Sequence, residues 1–245
     1  MTSLLGAIDC ALDAQRESKK PLGIILAGHN GSGKSTMWYK KDLAGIFQIP
    51  LINADRMMMS IFPEVPAGQS LIPEWALKIR DGNEGWMRIA QKGVAAFVDV
   101  AMVEKVPFAM ETVFSHWKDL GDGRFESKVD LITEMQDKGY YVLLLFVGLS
   151  NAQLSLARVK ARAQQGGHDV SEDRIKQRFP RTQMAIKHAC SVADAAILVD
   201  NSWTEEGAFT VCRLQLGDTE IYDCRNRRKE TPQAILEWLS IVSPR

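Results

Sequence analysis

The chain has 245 residues, of which 46% are hydrophobic and 24% charged, and its formal net charge is zero. These values are typical of an ordinary globular protein with a substantial core, and they argue against a protein that coats nucleic acid. No apolar run approaches the roughly 20 residues of a membrane span, and Asp9 and Asp13 interrupt the N-terminal segment. Scattered cysteines without a C-x-x-C pair predict reduced structural thiols in a cytoplasmic protein; they are Cys10, Cys190, Cys212 and Cys224.

Short apolar runs alternate with longer helix-compatible segments along the chain. The runs that we predict to be buried strands are Leu22–Ala27, Ile49–Ala54, Val106–Met110, Tyr141–Gly148 and Ala195–Val199. The predicted helices are Thr2–Ser18, Gly33–Gly45, Glu84–Val103, Lys128–Lys138, Asn151–Gln165, Glu172–Val192 and Pro232–Ile241. Strands that alternate with helices predict an α/β fold, a doubly wound parallel sheet with helices on both faces.

The last part of the chain has a different pattern. Thr210–Leu216 and Glu220–Asp223 flank a Gly-Asp-Thr turn, which predicts a β-hairpin appendage over residues 208–224. Ser171 and Thr231 are predicted helix N-caps. The Pro- and Gly-rich stretch Pro63–Pro73 indicates a loop and not an interdomain linker, so we expect residues 1–245 to form a single domain.

The segment Gly28–Ser35 fits the phosphate-binding pattern G-x-x-x-x-G-K-[ST]. It follows an apolar run and precedes a predicted helix, whose N-terminus adds the positive end of the helix dipole. Lys34 is expected to reach the β- and γ-phosphates, and the Ser35 hydroxyl to help hold Mg²⁺. The sequence therefore predicts a site for ATP or GTP formed by Gly28, His29, Asn30, Gly31, Ser32, Gly33, Lys34, Ser35 and Thr36.

Acidic side chains follow two of the predicted strands. In open α/β sheets, ligands bind beyond the carboxyl ends of the strands. Asp55 follows the second strand, where a carboxylate can orient or deprotonate an acceptor hydroxyl; its alternative role is to cap the following helix. Glu111 ends the third strand and is expected to bind substrate or the shell of Mg²⁺. Arg56 and Thr112, next to these acids, are further candidates for substrate binding.

Residues 157–181 are rich in arginine and are predicted to form a lid. The arginines lie on one face of each of two predicted helices: Arg158 and Arg162, then Arg174, Arg178 and Arg181. Gly166-Gly167 between the helices can turn the chain back, so the two faces can converge on a phosphoryl group in transfer. The alternative is a solvated charged face. We expect His168 to be a turn residue or a lid contact and not a metal ligand.

Together these segments resemble the zeta toxin-like P-loop kinases. The matching motifs are AGHNGSGKST (Ala27–Thr36), NAD (Asn53–Asp55), ET (Glu111–Thr112) and the RxxxR…GGHDV…R lid (Arg158–Arg178). The resemblance implies a nucleoside-kinase-like P-loop fold and transfer of a phosphoryl group from ATP to a hydroxyl of a small molecule. The best-known members phosphorylate UDP-N-acetylglucosamine and are held in check by a small antitoxin protein. The GGHDV lid is typical of a broad branch that need not share this substrate.

Roles carry over from the family onto the matching positions of this sequence. The resemblance implies that Lys34 and Ser35 bind ATP and Mg²⁺, with Asp55 as the general base and Glu111 in contact with substrate. It also implies that the phosphates are gripped by Arg158, Arg162 and Arg178.

Two other functions fit part of the pattern. The predicted strand Tyr141–Gly148 is not followed by an acid, so a conventional Walker B motif is missing and a nucleotide-dependent switch that acts on a protein partner is one alternative. A polynucleotide 5′-hydroxyl kinase is the other, because it also needs an acid such as Asp55 and an arginine lid. The zero net charge and the lack of aromatics interleaved with the basic residues disfavour nucleic acid.

Overall fold

The computed structural model describes residues 3–62, 73–82, 84–121, 123–165, 170–203, 207–227 and 230–245. Its strands are β1 (Leu22–Gly28), β2 (Leu51–Ile52), β3 (Phe108–Thr112), β4 (Trp117–Gly121), β5 (Arg124–Ser127), β6 (Tyr141–Gly148), β7 (Ala195–Asp200), β8 (Thr210–Leu216) and β9 (Thr219–Asp223). Its α-helices are α1 (Leu4–Ser18), α2 (Lys34–Lys40), α3 (Leu43–Phe47), α4 (Ala54–Ser60), α5 (Glu74–Gly82), α6 (Glu84–Glu104), α7 (Val129–Asp137), α8 (Ala152–Gln164), α9 (Glu172–Val192) and α10 (Gln233–Val242). Residues 63–72 of the predicted loop, Gly166-Gly167 and His168 lie outside these ranges.

The main sheet has the strand order β2-β3-β1-β6-β7-β8-β9. The first five of these strands are parallel, and β1 lies between β3 and β6. The last two are antiparallel and form the hairpin that continues the sheet beyond β7. The predicted doubly wound parallel sheet with a C-terminal hairpin is therefore confirmed.

Helices cover both faces of the sheet because its central strands are apolar on both sides. Along β1, Ile24 and Leu26 point to one face, where they join the core formed with α1, α2 and α3. Ile25 points to the other face and belongs to the core formed with α6, α7, α9 and α10. Consecutive residues of a strand face opposite sides, so a continuous apolar run is what a sheet buried on both faces requires.

Two predicted elements are shorter than the sequence pattern suggested. The strand predicted over Ile49–Ala54 is limited to Leu51–Ile52, because Asn53 already caps α4 by accepting hydrogen bonds from the next backbone N–H groups. The helix predicted over Gly33–Gly45 is divided into α2 and α3. Asp42, between the two helices, has φ 56°, in the left-handed region that ends a regular helix.

Some local elements were not predicted or differ in detail. Helix α5 and the small β4–β5 hairpin, which packs beside α9, have no strong signal in the sequence. Ser171 precedes α9 as predicted, but its side chain makes no capping hydrogen bond. The predicted cap Thr231 lies before Pro232, the residue that precedes α10, and its hydroxyl donates to the carbonyl of Cys224.

A buried hydrogen bond fastens α10 to the end of β7. Trp238 Nε1 donates to Asp200 Oδ1 at 3.0 Å. The backbone N–H and the hydroxyl of Ser202 donate to the same carboxyl, at 3.0 and 2.7 Å. Burial nevertheless raises the pKa of Asp200, because it disfavours the charged form more than these donors favour it. The charged form of this buried carboxyl therefore depends on all three of these hydrogen bonds.

We expect Trp238→Phe to lower the free energy of unfolding by about 3 kcal/mol, because it removes a buried donor and leaves a small void. Urea denaturation of the variant and the wild type measures this change. Trp75→Phe is the matched control, since Trp75 is 52% exposed on α5 and its replacement should change stability by less than about 0.5 kcal/mol. Equal losses in the two variants would contradict the role assigned to the Asp200 hydrogen bond.

Candidate active site

The loop between β1 and α2 has a backbone that excludes side chains at defined points. Gly33 has φ 91°, and a Cβ at this position would lie 2.6 Å from Asn201 Nδ2. A Cβ on Gly28 would lie 2.6 Å from both Ser32 Oγ and the carbonyl oxygen of Val147. These contacts explain why the two fixed glycine positions of the motif, Gly28 and Gly33, are glycine, and they keep the loop compact at the carboxyl end of β1.

Lys34 lies inside this loop, and it is 8% exposed. Its Nζ donates to the carbonyl oxygens of Gly28 and His29, at 3.0 and 3.1 Å. Burial lowers the pKa of Lys34, and the carboxylates of Glu111 and Asp55 raise it in opposition. The ammonium is thus held at the loop with two acids in electrostatic range, where it can neutralise phosphate charge.

Glu111 is brought to the loop by strand pairing. In the parallel register of β1 and β3, it lies beside Leu26, two residues before Gly28. The Ser35 hydroxyl donates to its carboxylate, at 3.0 Å from each oxygen. A hydroxyl and a carboxylate are oxygen ligands of the kind that Mg²⁺ prefers, alongside phosphate oxygens. In the described part of the chain, no cluster of three or more His, Cys, Asp or Glu could hold a metal ion.

Asp55 lies in the first turn of α4 and is exposed. The helix cap is Asn53, whose side chain accepts from the N–H groups of Asp55 and Arg56 at 2.8 and 3.2 Å. The alternative of a capping role for Asp55 is therefore wrong, and its carboxylate is not used by the helix backbone. Arg56, which the sequence predicts to bind substrate, lies over the ring of Tyr39, 4.9 Å from the ring centroid.

Arg158 on α8 faces the loop that follows β7. Its guanidinium donates to the carbonyl of Asn201 at 2.7 Å and to that of Trp203 at 3.5 Å. Asn201 in turn donates from its side chain to the carbonyl of Ser32 in the phosphate loop, at 2.8 Å. Arg158 and Asn201 thus connect α8, the loop after β7 and the phosphate loop. Asn201 was not predicted, because nothing local in the sequence marks a residue that acts across the sheet.

Arg162 on α8 approaches Lys34, and Arg178 on α9 approaches Asp55. Arg162 lowers the pKa of Lys34, although burial is the larger cause. Burial, and then the nearby Arg174, lower the pKa of Arg178, whereas Asp55 raises it. The structure therefore brings two of the predicted lid arginines into electrostatic range of Lys34 and Asp55.

His29 holds α9 against the phosphate loop. Its imidazole stacks on Phe179, with ring centroids 3.8 Å apart and an interplanar angle of 11°. Thr182 on the same helix donates to the carbonyl of Val113, just after β3, at 3.1 Å. Phe179 directly follows Arg178, so the two contacts position the part of α9 that carries Arg178. Burial, then the charge of Lys34, lower the pKa of His29 to about 3, and the ring stays neutral.

Lys128 is a candidate site residue that the sequence analysis missed. It precedes α7, and its Nζ donates to the Thr112 hydroxyl at 2.8 Å. Burial, and then the charge of Arg178, lower the pKa of Lys128. A lysine just before a helix carries no motif, so only the fold reveals that it lies beside the end of β3.

The comparison with known families agrees with this geometry. The model of the family described as "Zeta toxin" matches residues 8–204. The chain belongs to the zeta toxin family. The matched region includes the phosphate loop, Asp55, Glu111 and all three lid arginines that were predicted to grip phosphate. The resemblance inferred from the sequence motifs is thereby confirmed.

Relatives of this zeta toxin family member cover most of the chain. An uncharacterized protein of Haemophilus influenzae is 29% identical over 157 residues, which are 64% of this chain and 91% of that protein. A chain from the PezAT chromosomal toxin–antitoxin system of Streptococcus pneumoniae has a TM-score of 0.53 at 15% identity and covers 98% of this chain and 94% of its own. The AvrRxo1-ORF1:AvrRxo1-ORF2 structure with sulphate ions has a TM-score of 0.60 at 14% identity, over 97% of this chain and 70% of that one. The two structures support the fold.

In the part of the chain that the structure describes, no helix combines the length and the apolar character needed to cross a membrane.

The stacked His29 should make stability depend on pH. An unfolded histidine takes up a proton near pH 6.5, whereas the folded one does so only near 3, so the unfolded state binds more protons between these values. The free energy of unfolding should therefore fall as the pH is lowered through this window, by at most about 5 kcal/mol from this group. We expect His29→Asn to show a shallower fall between about pH 6 and about pH 4 in urea denaturation. Identical slopes in variant and wild type would contradict the buried neutral imidazole.

Proposed function

We propose that this protein is a kinase that transfers the γ-phosphoryl group of ATP or GTP to a hydroxyl of a small molecule. The observation that carries the proposal is the meeting of Lys34, the Ser35–Glu111 pair, Asp55 and Arg178 at the carboxyl ends of β1, β2 and β3. Phosphoryl transfer needs positioning and charge stabilisation more than covalent chemistry, and this set provides a cation for phosphate, a carboxylate for the acceptor and an arginine for the charge that develops.

Each residue has a distinct part in the proposed reaction. Lys34, released from the loop carbonyls, binds the β- and γ-phosphates. Ser35, with Glu111 beside it, would hold Mg²⁺, which neutralises phosphate charge when bound. Asp55 orients the acceptor hydroxyl and accepts its proton, as an exposed carboxylate next to Lys34 can. Arg162 and Arg178 stabilise the phosphoryl group in transfer, and Arg158 supports the nucleotide side of the site through the loop after β7.

The acceptor that we favour is a nucleotide sugar such as UDP-N-acetylglucosamine, as the family resemblance implies. The nucleotide that we favour is ATP; an AvrRxo1-ORF1:-ORF2 structure with ATP, with a TM-score of 0.58 at 12% identity, has this fold over 97% of this chain. A protein antitoxin is the partner that we propose, since two of the similar structures contain paired proteins or belong to a toxin–antitoxin system. The growth rate of cells that produce this protein without any antitoxin tests whether it is toxic. Unaffected growth would contradict the proposal of an antitoxin partner.

Asp55→Asn should retain nucleotide affinity and lose turnover by ~10²–10⁴-fold, because the variant cannot accept the hydroxyl proton. The measurement is mass spectrometry of a metabolite mixture, with UDP-N-acetylglucosamine added, after incubation with Mg-ATP and enzyme. The product should carry one additional phosphoryl group. Lys34→Ala should form no product, since the charge on the phosphates is lost. Asp9→Asn is the matched control, because Asp9 is exposed on α1, and it should behave like the wild type.

Other outcomes of this experiment separate the alternative functions. ATP consumed without any acceptor gaining a phosphoryl group would favour the nucleotide-dependent switch. A polynucleotide kinase would instead label the 5′-hydroxyl of an added RNA, with binding that weakens steeply as salt increases. Normal turnover by Asp55→Asn would overturn its assignment as the base.

Lys128 is assigned to the acceptor side of the proposed site, because it binds Thr112 and lies beside Arg178. We expect Lys128→Met to raise the KM for the acceptor by about tenfold and to leave the Kd for ATP unchanged. Steady-state kinetics with the acceptor, together with ATP titration, measure the two effects. Lys118→Met, at an exposed lysine on β4, is the control. A loss of ATP affinity with an unchanged acceptor KM would place Lys128 on the nucleotide side instead.

A further inference from the structure

Two buried cysteines lie opposite each other at the base of the C-terminal hairpin. In the pairing of β8 with β9, Arg213 is the partner of Asp223. Because the strands are antiparallel, the residue before Arg213 faces the residue after Asp223. These residues are Cys212 and Cys224, which are 0% and 3% exposed. Their thiols are close enough for each to shift the pKa of the other, and both are free.

The proximity of the two thiols makes them chemically unequal. The thiol of Cys212 lowers the pKa of Cys224 in spite of its burial. The Cys224 side chain, and then burial, raise the pKa of Cys212. In the structure the Cys212 thiol donates to the carbonyl of Thr210 at 3.4 Å, and a thiolate at Cys224 would be a stronger acceptor for that proton. Cys224 is thus the nucleophilic member of the pair.

A cavity of about 290 Å³ gives small molecules room beside the two sulfur atoms. Its wall includes both cysteines, together with Trp203, Thr210, Thr231 and Ile235. The buried Cys190 provides a contrast, because burial raises the pKa of its thiol to about 12. Cys224 therefore combines the two properties that a reactive cysteine needs, a stabilised thiolate and access.

We propose that Cys212 and Cys224 form a dithiol site that reacts with hydroperoxides. In the first step, the thiolate of Cys224 attacks one peroxide oxygen; an S–O bond forms, the O–O bond breaks, and the leaving alkoxide or hydroxide takes up a proton. Cys224 becomes a sulfenic acid. In the second step, the Cys212 sulfur attacks the sulfenic sulfur, and the hydroxyl leaves with the Cys212 proton as water. The two thiols are oxidised to one disulfide by two electrons, and one peroxide is reduced.

The first test uses the reduced full-length wild-type protein with hydrogen peroxide as the probe. After timed exposure, the protein is unfolded, free thiols are alkylated, and the peptides are mapped by mass spectrometry. We expect the peptides of Cys212 and Cys224 to become joined, with loss of two hydrogen atoms, at least about tenfold faster than Cys10 or Cys190 is oxidised. If both thiols remain fully alkylated when Cys10 has reacted, or if either one joins another cysteine first, the proposal is overturned.

Serine variants separate the two roles. In Cys212→Ser, Cys224 should stop at the sulfenic acid, which gains one oxygen atom and can be trapped with dimedone. In Cys224→Ser, Cys212 should lose most of its reactivity, because its own thiol remains protonated. Cys190→Ser is the matched control at a buried cysteine and should still form the disulfide. Oxidation of Cys212 at the wild-type rate in Cys224→Ser would overturn the assigned order, and wild-type mapping decides the proposal if a variant does not fold.

Discussion

The burial of the Lys34 ammonium is the constraint on which the arrangement of the site depends. A charge removed from water is costly unless acceptors and opposite charges surround it. Two loop carbonyls accept its hydrogen bonds, and the acids that oppose the effect of burial on its pKa come from outside the loop. Glu111 reaches it because β3 pairs directly with β1, and Asp55 because β2 pairs with β3. The strand order therefore supplies the charges that the phosphate loop lacks.

Helix α9 is the second element that the arrangement of charges around Lys34 requires. Arg178 stays in electrostatic range of Asp55 only if its helix is fixed. The stack of His29 on Phe179 and the hydrogen bond of Thr182 to the segment after β3 fix α9 at two points. The His29 ring in the phosphate loop thus helps to position the turn of α9 that carries Arg178, the residue before Phe179. The imidazole suits this role because burial keeps it uncharged beside Lys34.

The sequence predicted what is encoded locally and missed what depends on distant contacts. The phosphate loop, the acids at the strand ends and the parallel sheet follow from motifs, apolar runs and one rule about strand ends. Asn201 and Lys128 could not be found in this way, because each acts on a residue far along the chain. The strand predicted over Ile49–Ala54 is shorter in the structure for a local reason, because the Asn53 side chain caps α4 before the apolar run ends. The pairing of Cys212 with Cys224 likewise needs the register of β8 and β9.

The C-terminal hairpin belongs to the site more closely than the term appendage suggests. The loop between β7 and β8 supplies Asn201, which holds the phosphate loop, and the carbonyls that bind Arg158. Phe209, which precedes β8, approaches Gly33 so closely that a Cβ there would lie 3.5 Å from its ring. Trp203 of the same loop lines the cavity beside the dithiol. Because one short loop contacts both the phosphate loop and this cavity, the proposed covalent change in the hairpin would act on a segment that also holds the phosphate loop.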